Sequence, residues 1–161
     1  MTTIKDNWDS KLAEGNKNEL EIIELFKNVF PDIDFYKDGK QKEADLCIPS
    51  HQTLLEVKYD AMSDETGNFG IEYLWRGNKS GLAATKAHWY IMSDSSNHHI
   101  FKSYHLKDFL KLNWQYFKKV KGGDDGDAEL ILVPKYQLTS AYFCRVVSRE
   151  GEGLLNLPYF I

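Results

Sequence analysis

The sequence predicts a single mixed α/β domain over residues 1–161. Three observations carry that expectation. Helical and strand-like patterns alternate in the order helix, strands, helix, strands, helix. The 161 residues suit one compact domain, and no internal repeat or long linker divides them. A hydrophobic share of 42% beside a charged share of 27% supplies a core without departing from ordinary globular composition.

The first helix is read in residues 18–30, "NELEIIELFKNVF", where Ile22, Phe26 and Val29 recur at helical spacing and Pro31 stops the run. Short strands follow in "IDFYK", "ADLCI" and "TLLEVKY", and then a polar loop, "DAMSDETGNF". "SGLAATKA" predicts a second helix with Ser80 as its N-cap. "HWYIMS" and "HIFKSY" form a strand pair around the turn "DSSN", which leaves His98 and His99 as a surface pair pointing to opposite faces. "LKDFLKLNWQYFKKV" predicts a longer helix ended by Gly122 and Gly123, and "AELILVPKY" and "YFCRVVS" read as strands or buried segments.

The chemistry lies in residues 43–60, "EADLCIPSHQTLLEVKYD". With "PSHQ" as a four-residue hairpin loop, Ile48 faces Thr53, Leu46 faces Leu55 and Asp45 faces Glu56. Alternation then sorts Ala44, Leu46, Ile48, Leu55, Val57 and Tyr59 onto one face. Glu43, Asp45, Cys47, Leu54, Glu56 and Lys58 fall on the other. Two carboxylates paired across a ladder repel. A cation between them reverses the sign, and paired carboxylate oxygens suit Mg²⁺, which keeps waters and room for a phosphate. Lys58 then stands where an ammonium can orient a water or stabilise developing negative charge. These are the parts of metal-assisted phosphodiester hydrolysis. A second reading stands beside it: Asp, Glu and Lys also line the solvated face of an antiparallel sheet.

Asp45 followed by Glu56-Val57-Lys58 resembles the D…E-x-K motif of the PD-(D/E)XK, or restriction-endonuclease-like, nuclease superfamily. The likeness covers about residues 12–105, and Ala44 stands where the family usually has proline. It implies an α-β-β-β-α-β core, a mixed sheet flanked by helices. It implies a magnesium-dependent DNA endonuclease, with Mn²⁺ able to substitute, that leaves 5′-phosphates. Asp45 and Glu56 would hold the metal, the Val57 carbonyl would add an oxygen, and Lys58 would serve the attacking water or the phosphate. Many members carry a glutamate on the first helix; Glu19, on the apolar side of its helix, is the matching residue, although an acid in a first helical turn is also ordinary. "IEYLWRGNKSGLAATKAHWYIM" resembles the segment after the E-x-K strand in resolvase-like and phage-type enzymes. There Arg76, Lys79 and Lys86 would meet DNA, and backbone amides near Ser80 and Gly81 would hold a phosphate. Tyr73 and Trp75 either stack on bases or belong to the core, with core favoured for Trp75 and Trp89. A homodimer, one copy per strand, is the family expectation, and the apolar "LLNLPYFI" is the candidate contact.

The formal charge of −4 speaks against a broad basic surface but leaves room for a local basic rim around an acidic metal pocket. No run approaches a membrane span, and the polar N-terminal stretch lacks the apolar core of a signal peptide. Cys47 and Cys144 have no partner ligands nearby in sequence, so reduced thiols in a cytoplasmic protein are expected. "GNKS" lacks the glycine spacing of a P-loop, and "GDDGDAE" lacks EF-hand spacing. The rival from another class is a non-catalytic nucleic-acid-binding or interaction protein with the same fold.

Overall fold

The computed structural model describes residues 4–37, 43–123 and 126–160, with side-chain environments from Glu14 onward. The expected α/β class holds. The chain runs α1 (Ile4–Phe26), β1 (Asp34–Phe35), β2 (Leu46–Ile48), β3 (Thr53–Tyr59), α2 (Ser63–Thr66), β4 (Asn68–Trp75), β5 (Asn78–Lys79) and α3 (Gly81–Ala84). It continues with β6 (Trp89–Ser93), β7 (Asn97–Lys102), α4 (Ser103–Leu112), β8 (Lys118–Gly122), β9 (Ala128–Pro134), α5 (Lys135–Thr139) and β10 (Cys144–Ser148). A six-stranded sheet has the order β1-β2-β3-β6-β7-β10, and a second sheet has the order β5-β4-β9-β8. Only β3 and β6 pair in parallel among the described strands, which makes the large sheet mixed.

The large sheet is buried on both faces. On one, Leu46, Ile48, Leu55, Val57, Ile91 and Ile100 pack against Ile22, Ile23 and Phe26 of α1. On the other, Tyr90, Met92 and Phe101 pack against Phe69, Ile71, Ile131 and Val133 of the second sheet and Leu106 of α4. Each such side chain taken wholly from water contributes about 1.5–3 kcal/mol before entropy is counted. Burial from both sides explains why "WYIMS" reads as an unbroken apolar run.

Several expectations are corrected. α1 starts at Ile4 and ends at Phe26, four residues short of Phe30. The polar loop read over residues 60–69 gives way to β4 at Asn68, and Arg76–Lys79, expected in a substrate-contacting loop, belong to the β4–β5 hairpin, closed by Arg76 and Gly77 at φ 49° and 80°. Positive φ at both central residues is the two-residue turn that matches strand twist. The second helix is a single turn that ends where Thr85 turns extended; at its start Gly81 (φ +50°) runs against β4, where a Cβ would lie 2.4 Å from the Glu72 carbonyl oxygen. The long helix over 106–120 ends at Leu112, where the Asn113 side-chain amide donates to the Phe109 carbonyl, and residues 118–122 become β8.

His98 and His99 do point to opposite faces, but both are buried: His98 meets the ring of Phe26 and His99 that of Phe69. Trp89 is core as expected, whereas Trp75 is 44% exposed. In the C-terminal segment, Leu154, Leu157 and Phe160 enter the first core, so its apolar character is largely spent inside the molecule. Cys47 and Cys144 form no disulfide. No helix among the described residues is long and apolar enough to cross a membrane.

Candidate active site

The predicted hairpin register is present: Leu46 pairs with Leu55, Cys47 with Leu54 and Ile48 with Thr53. Pro49–His51 form one 3₁₀ turn, and Gln52 (φ 52°) closes it. The Asp45 amide donates to the Leu55 carbonyl at 3.0 Å, so Asp45 stands just beyond the last rung. β2 therefore does not reach Val57, and the Asp45 side chain takes its place: Oδ2 accepts the Val57 N–H at 2.8 Å. An extended residue sends its N–H and C=O to the same edge, so the Val57 carbonyl also faces the Asp45 side.

Asp45 is consequently 7% exposed, unlike a carboxylate on a solvated sheet face. Glu56 and Lys58 project from the face opposite Leu55 and Val57, as expected, and Lys58 Nζ lies 3.2 Å from Glu56 Oε1. β6 supplies the neighbour: Tyr90 is the register partner of Glu56 and is buried. The Tyr90 hydroxyl is held well above the usual phenol range, first by burial and then by the charges of Glu56, Glu72, Asp45 and Asp60. Asp45 and Glu56 thus both add negative potential at Tyr90.

Tyr90 borders an open cleft of about 800 Å³ between the sheets, lined also by Val57, Lys58, Asp60, Glu72, Leu130 and Leu132 among others. Asp60 holds the cleft together: Oδ2 accepts the Gly70 N–H at 2.9 Å and Oδ1 the Ser63 N–H at 3.2 Å. Glu72 and Tyr90 escaped the sequence reading. The sequence reading assigns no strand to β4, so nothing in it sets Glu72 in one cleft with Lys58. Alternation along "NFGIEYLW", with Phe69 and Ile71 inward, was the signal available.

Glu19 is half-buried while Glu21 and Glu24 are exposed, which agrees with its place on the inward side of α1. Asn18 and Glu21 bind Arg149 on one flank of the helix. Glu19 lies on the flank turned away from Arg149. Arg76 and Lys79 are exposed on the β4–β5 hairpin, with Arg76 Nε 2.7 Å from Asp127 Oδ2 and its guanidinium 4.4 Å above the Trp75 ring. Arg76 is four residues beyond Glu72, about 13 Å along the strand. Lys86 lies elsewhere, in a depression with Thr53 and Trp89 at the opposite end of β3, about 20 Å from Tyr59. Ser80 makes no capping hydrogen bond, and its buried Oγ has no partner. A one-turn helix lacks the aligned peptide dipoles of an anion site, so the phosphate role foreseen for Ser80 has no support.

The oxygens available at this end of the hairpin, the Asp45 and Glu56 carboxylates and the Val57 carbonyl, are hard donors of the kind that suit Mg²⁺. No group of three or more His, Cys, Asp or Glu among the described residues forms a ready-made metal cage. The donor set fits an open site in which water and phosphate complete the coordination. No protein-family model, curated protein or solved structure matches the chain significantly.

Proposed function

We propose that the chain is a metal-dependent endodeoxyribonuclease of the PD-(D/E)XK kind. The observation that carries the reading is the buried Asp45, bonded to the Val57 N–H between Glu56 and Lys58, whose ion pair stands where Lys58 and Tyr90 line an open cleft. The opening order α1, β1, β2, β3 and the parallel pairing of β3 with β6 support it further, although α2, β4 and β5 intervene before α3 and β6. Asp45, Glu56 and the Val57 carbonyl would hold Mg²⁺ or Mn²⁺. The metal would supply Lewis acidity and a more acidic bound water. Lys58 balances the Glu56 charge and holds an ammonium at the cleft edge, where it orients a water or stabilises phosphate charge. Glu19 supports the site from α1. Cleavage leaves 5′-phosphates, and two copies of the chain cut the two strands of a duplex. Two cysteines outside any disulfide suit a cytoplasmic protein.

The test is incubation with supercoiled, linear, single-stranded and branched DNA in Mg²⁺ or Mn²⁺, repeated in EDTA. Metal-dependent nicking that disappears in Asp45→Asn and Lys58→Ala is the expected result. Substituted proteins that cut as fast as the parent would remove the assignment. One observation favours a non-catalytic binding protein instead: Asp45 already accepts an N–H and Glu56 already faces an ammonium. Retarded DNA without cutting, indifferent to metal, is the outcome that reading requires.

A further inference from the structure

A second surface concentrates cations in an otherwise acidic chain. Lys107 and Lys111 stand one turn apart on α4, with Lys107 Nζ donating to the Thr85 carbonyl at 2.8 Å; burial and then the charges of Lys111 and Lys79 hold Lys107 below the usual lysine range. From there the end of α4 leads into the 3₁₀ turn Trp114–Tyr116. The Trp114 ring stands edge-on to Tyr73 at 4.8 Å and carries Lys119 Nζ 4.7 Å from its centroid. Two residues beyond Tyr73, Trp75 lies under the Arg76 guanidinium. Trp75 and Trp114 remain 44% and 37% exposed, and Tyr116 74%. Glu72, Asp108, Asp127 and Glu129 are the acids on or beside these elements, with Asp127 already paired to Arg76, against Arg76, Lys79, Lys107, Lys111 and Lys119. Cations therefore outnumber acids here, against a chain total of −4.

Exposed indole rings flanked by lysines are poorly explained by a duplex partner. A duplex hides its base faces and offers a long row of phosphates, which calls for a broad basic footprint. An unpaired strand offers base faces to stack on and needs few cations.

We propose that the face built from the end of α4, the Trp114–Tyr116 turn and the β4–β5 hairpin binds unpaired nucleic-acid strand. Trp75 and Trp114 stack on bases, and Lys79, Lys111 and Lys119 hold phosphates. The proposal rests on the nucleic-acid reading above for its occupant, and it does not require cleavage. It names the substrate class as DNA with a single-stranded or branched portion.

The experiment is fluorescence anisotropy in EDTA with a labelled single strand of about 20 nucleotides and the matching duplex. The single strand is expected to bind about tenfold or more tighter, and Trp75→Ala and Trp114→Ala each to lose about tenfold, as base stacking does when truncated. Lys111→Glu should weaken binding and flatten its salt dependence. Tyr159→Ala, exposed on the C-terminal segment, should change nothing. Should Trp114→Ala fail to fold by circular dichroism, Trp75→Ala and Lys111→Glu decide. Equal affinity for duplex and single strand, or tryptophan variants that bind like the parent, overturns the proposal. So does displacement of the strand by heparin with the same potency from parent and Trp75→Ala. Single-strand binding without metal-dependent cutting upholds this surface and removes the hydrolase reading; cutting with no single-strand preference does the reverse.

Discussion

Replacing Asp45 by alanine separates its structural role from its chemical one. Its Oδ2 is the acceptor for the Val57 N–H at 2.8 Å, in a position 7% exposed and beyond the reach of β2. Alanine leaves that N–H buried without a partner, at a cost of about 1–3 kcal/mol. Taking about 2 kcal/mol, a domain of this size should melt about 4–8 °C lower. Asparagine keeps an oxygen for the same N–H and loses only the charge-assisted part, about 1 kcal/mol. Relief of repulsion from Glu56 offsets some of that. The hairpin pattern alone, which shows two facing acids and not the amide that one of them serves, predicts a neutral or stabilising Asp45→Asn. Urea unfolding in EDTA, followed by circular dichroism, measures all three proteins. Parent-like stability in Asp45→Ala, or equal losses for Asn and Ala, would refute the reasoning.

Lys58→Ala should change stability by less than about 1 kcal/mol, since its pair with Glu56 is half-exposed, while abolishing metal-dependent nicking; a fold lost with the lysine would mean that the ammonium is structural. Burial, helped by the Arg149 charge, pushes the His98 imidazole down to about 4 from its ordinary 6.5. The unfolded chain therefore takes up that proton first as pH falls, so native stability should decline from about pH 6.5 and level off below about pH 4, by about 3 kcal/mol in full. Buried His99 is lowered too and adds with the same sign, so His98→Asn should lose only part of the slope in urea midpoints between pH 7 and 5. An unchanged slope would exclude His98 as a source. Gly81→Ala should destabilise by about 2 kcal/mol or more, because its Cβ would meet the Glu72 carbonyl at a positive φ. A thermal melt that matches the parent would show that β4 yields freely.

The charged hairpin was readable because period-2 alternation and a short loop left one register with a clean apolar face, and Leu46, Ile48, Leu55 and Val57 fill the core from it. The second sheet was not. β4 is interrupted by Gly70 and by a register shift between Glu72 and Leu74, so no long alternating run survives to signal a strand. "LKDFLKLNWQYFKKV" carries helical spacing through its first half, and only the Asn113 side chain, bonded to the Phe109 carbonyl, ends it. The histidine pair looked superficial because imidazoles are polar; Ser93 Oγ, 2.7 Å from His98 Nδ1, and the Met92 carbonyl, 3.2 Å from His99 Nδ1, satisfy them inside. For Asp45 the position was legible and the burial was not. Its partner is a backbone amide, which has no letter of its own.

β4 leaves the chain between the parallel partners β3 and β6, yet its neighbour β9 arrives more than fifty residues later. The stretch that bears the acidic motif therefore cannot be an autonomous folding unit. A fragment ending at Leu112 would present Tyr90, Met92 and Phe101 to water where Ile131 and Val133 belong, and the trough beside Lys58 would lack the wall that Leu130 and Leu132 provide. Such non-local closure slows folding, so newly made chains should reach the native state late, after the C-terminal third has docked.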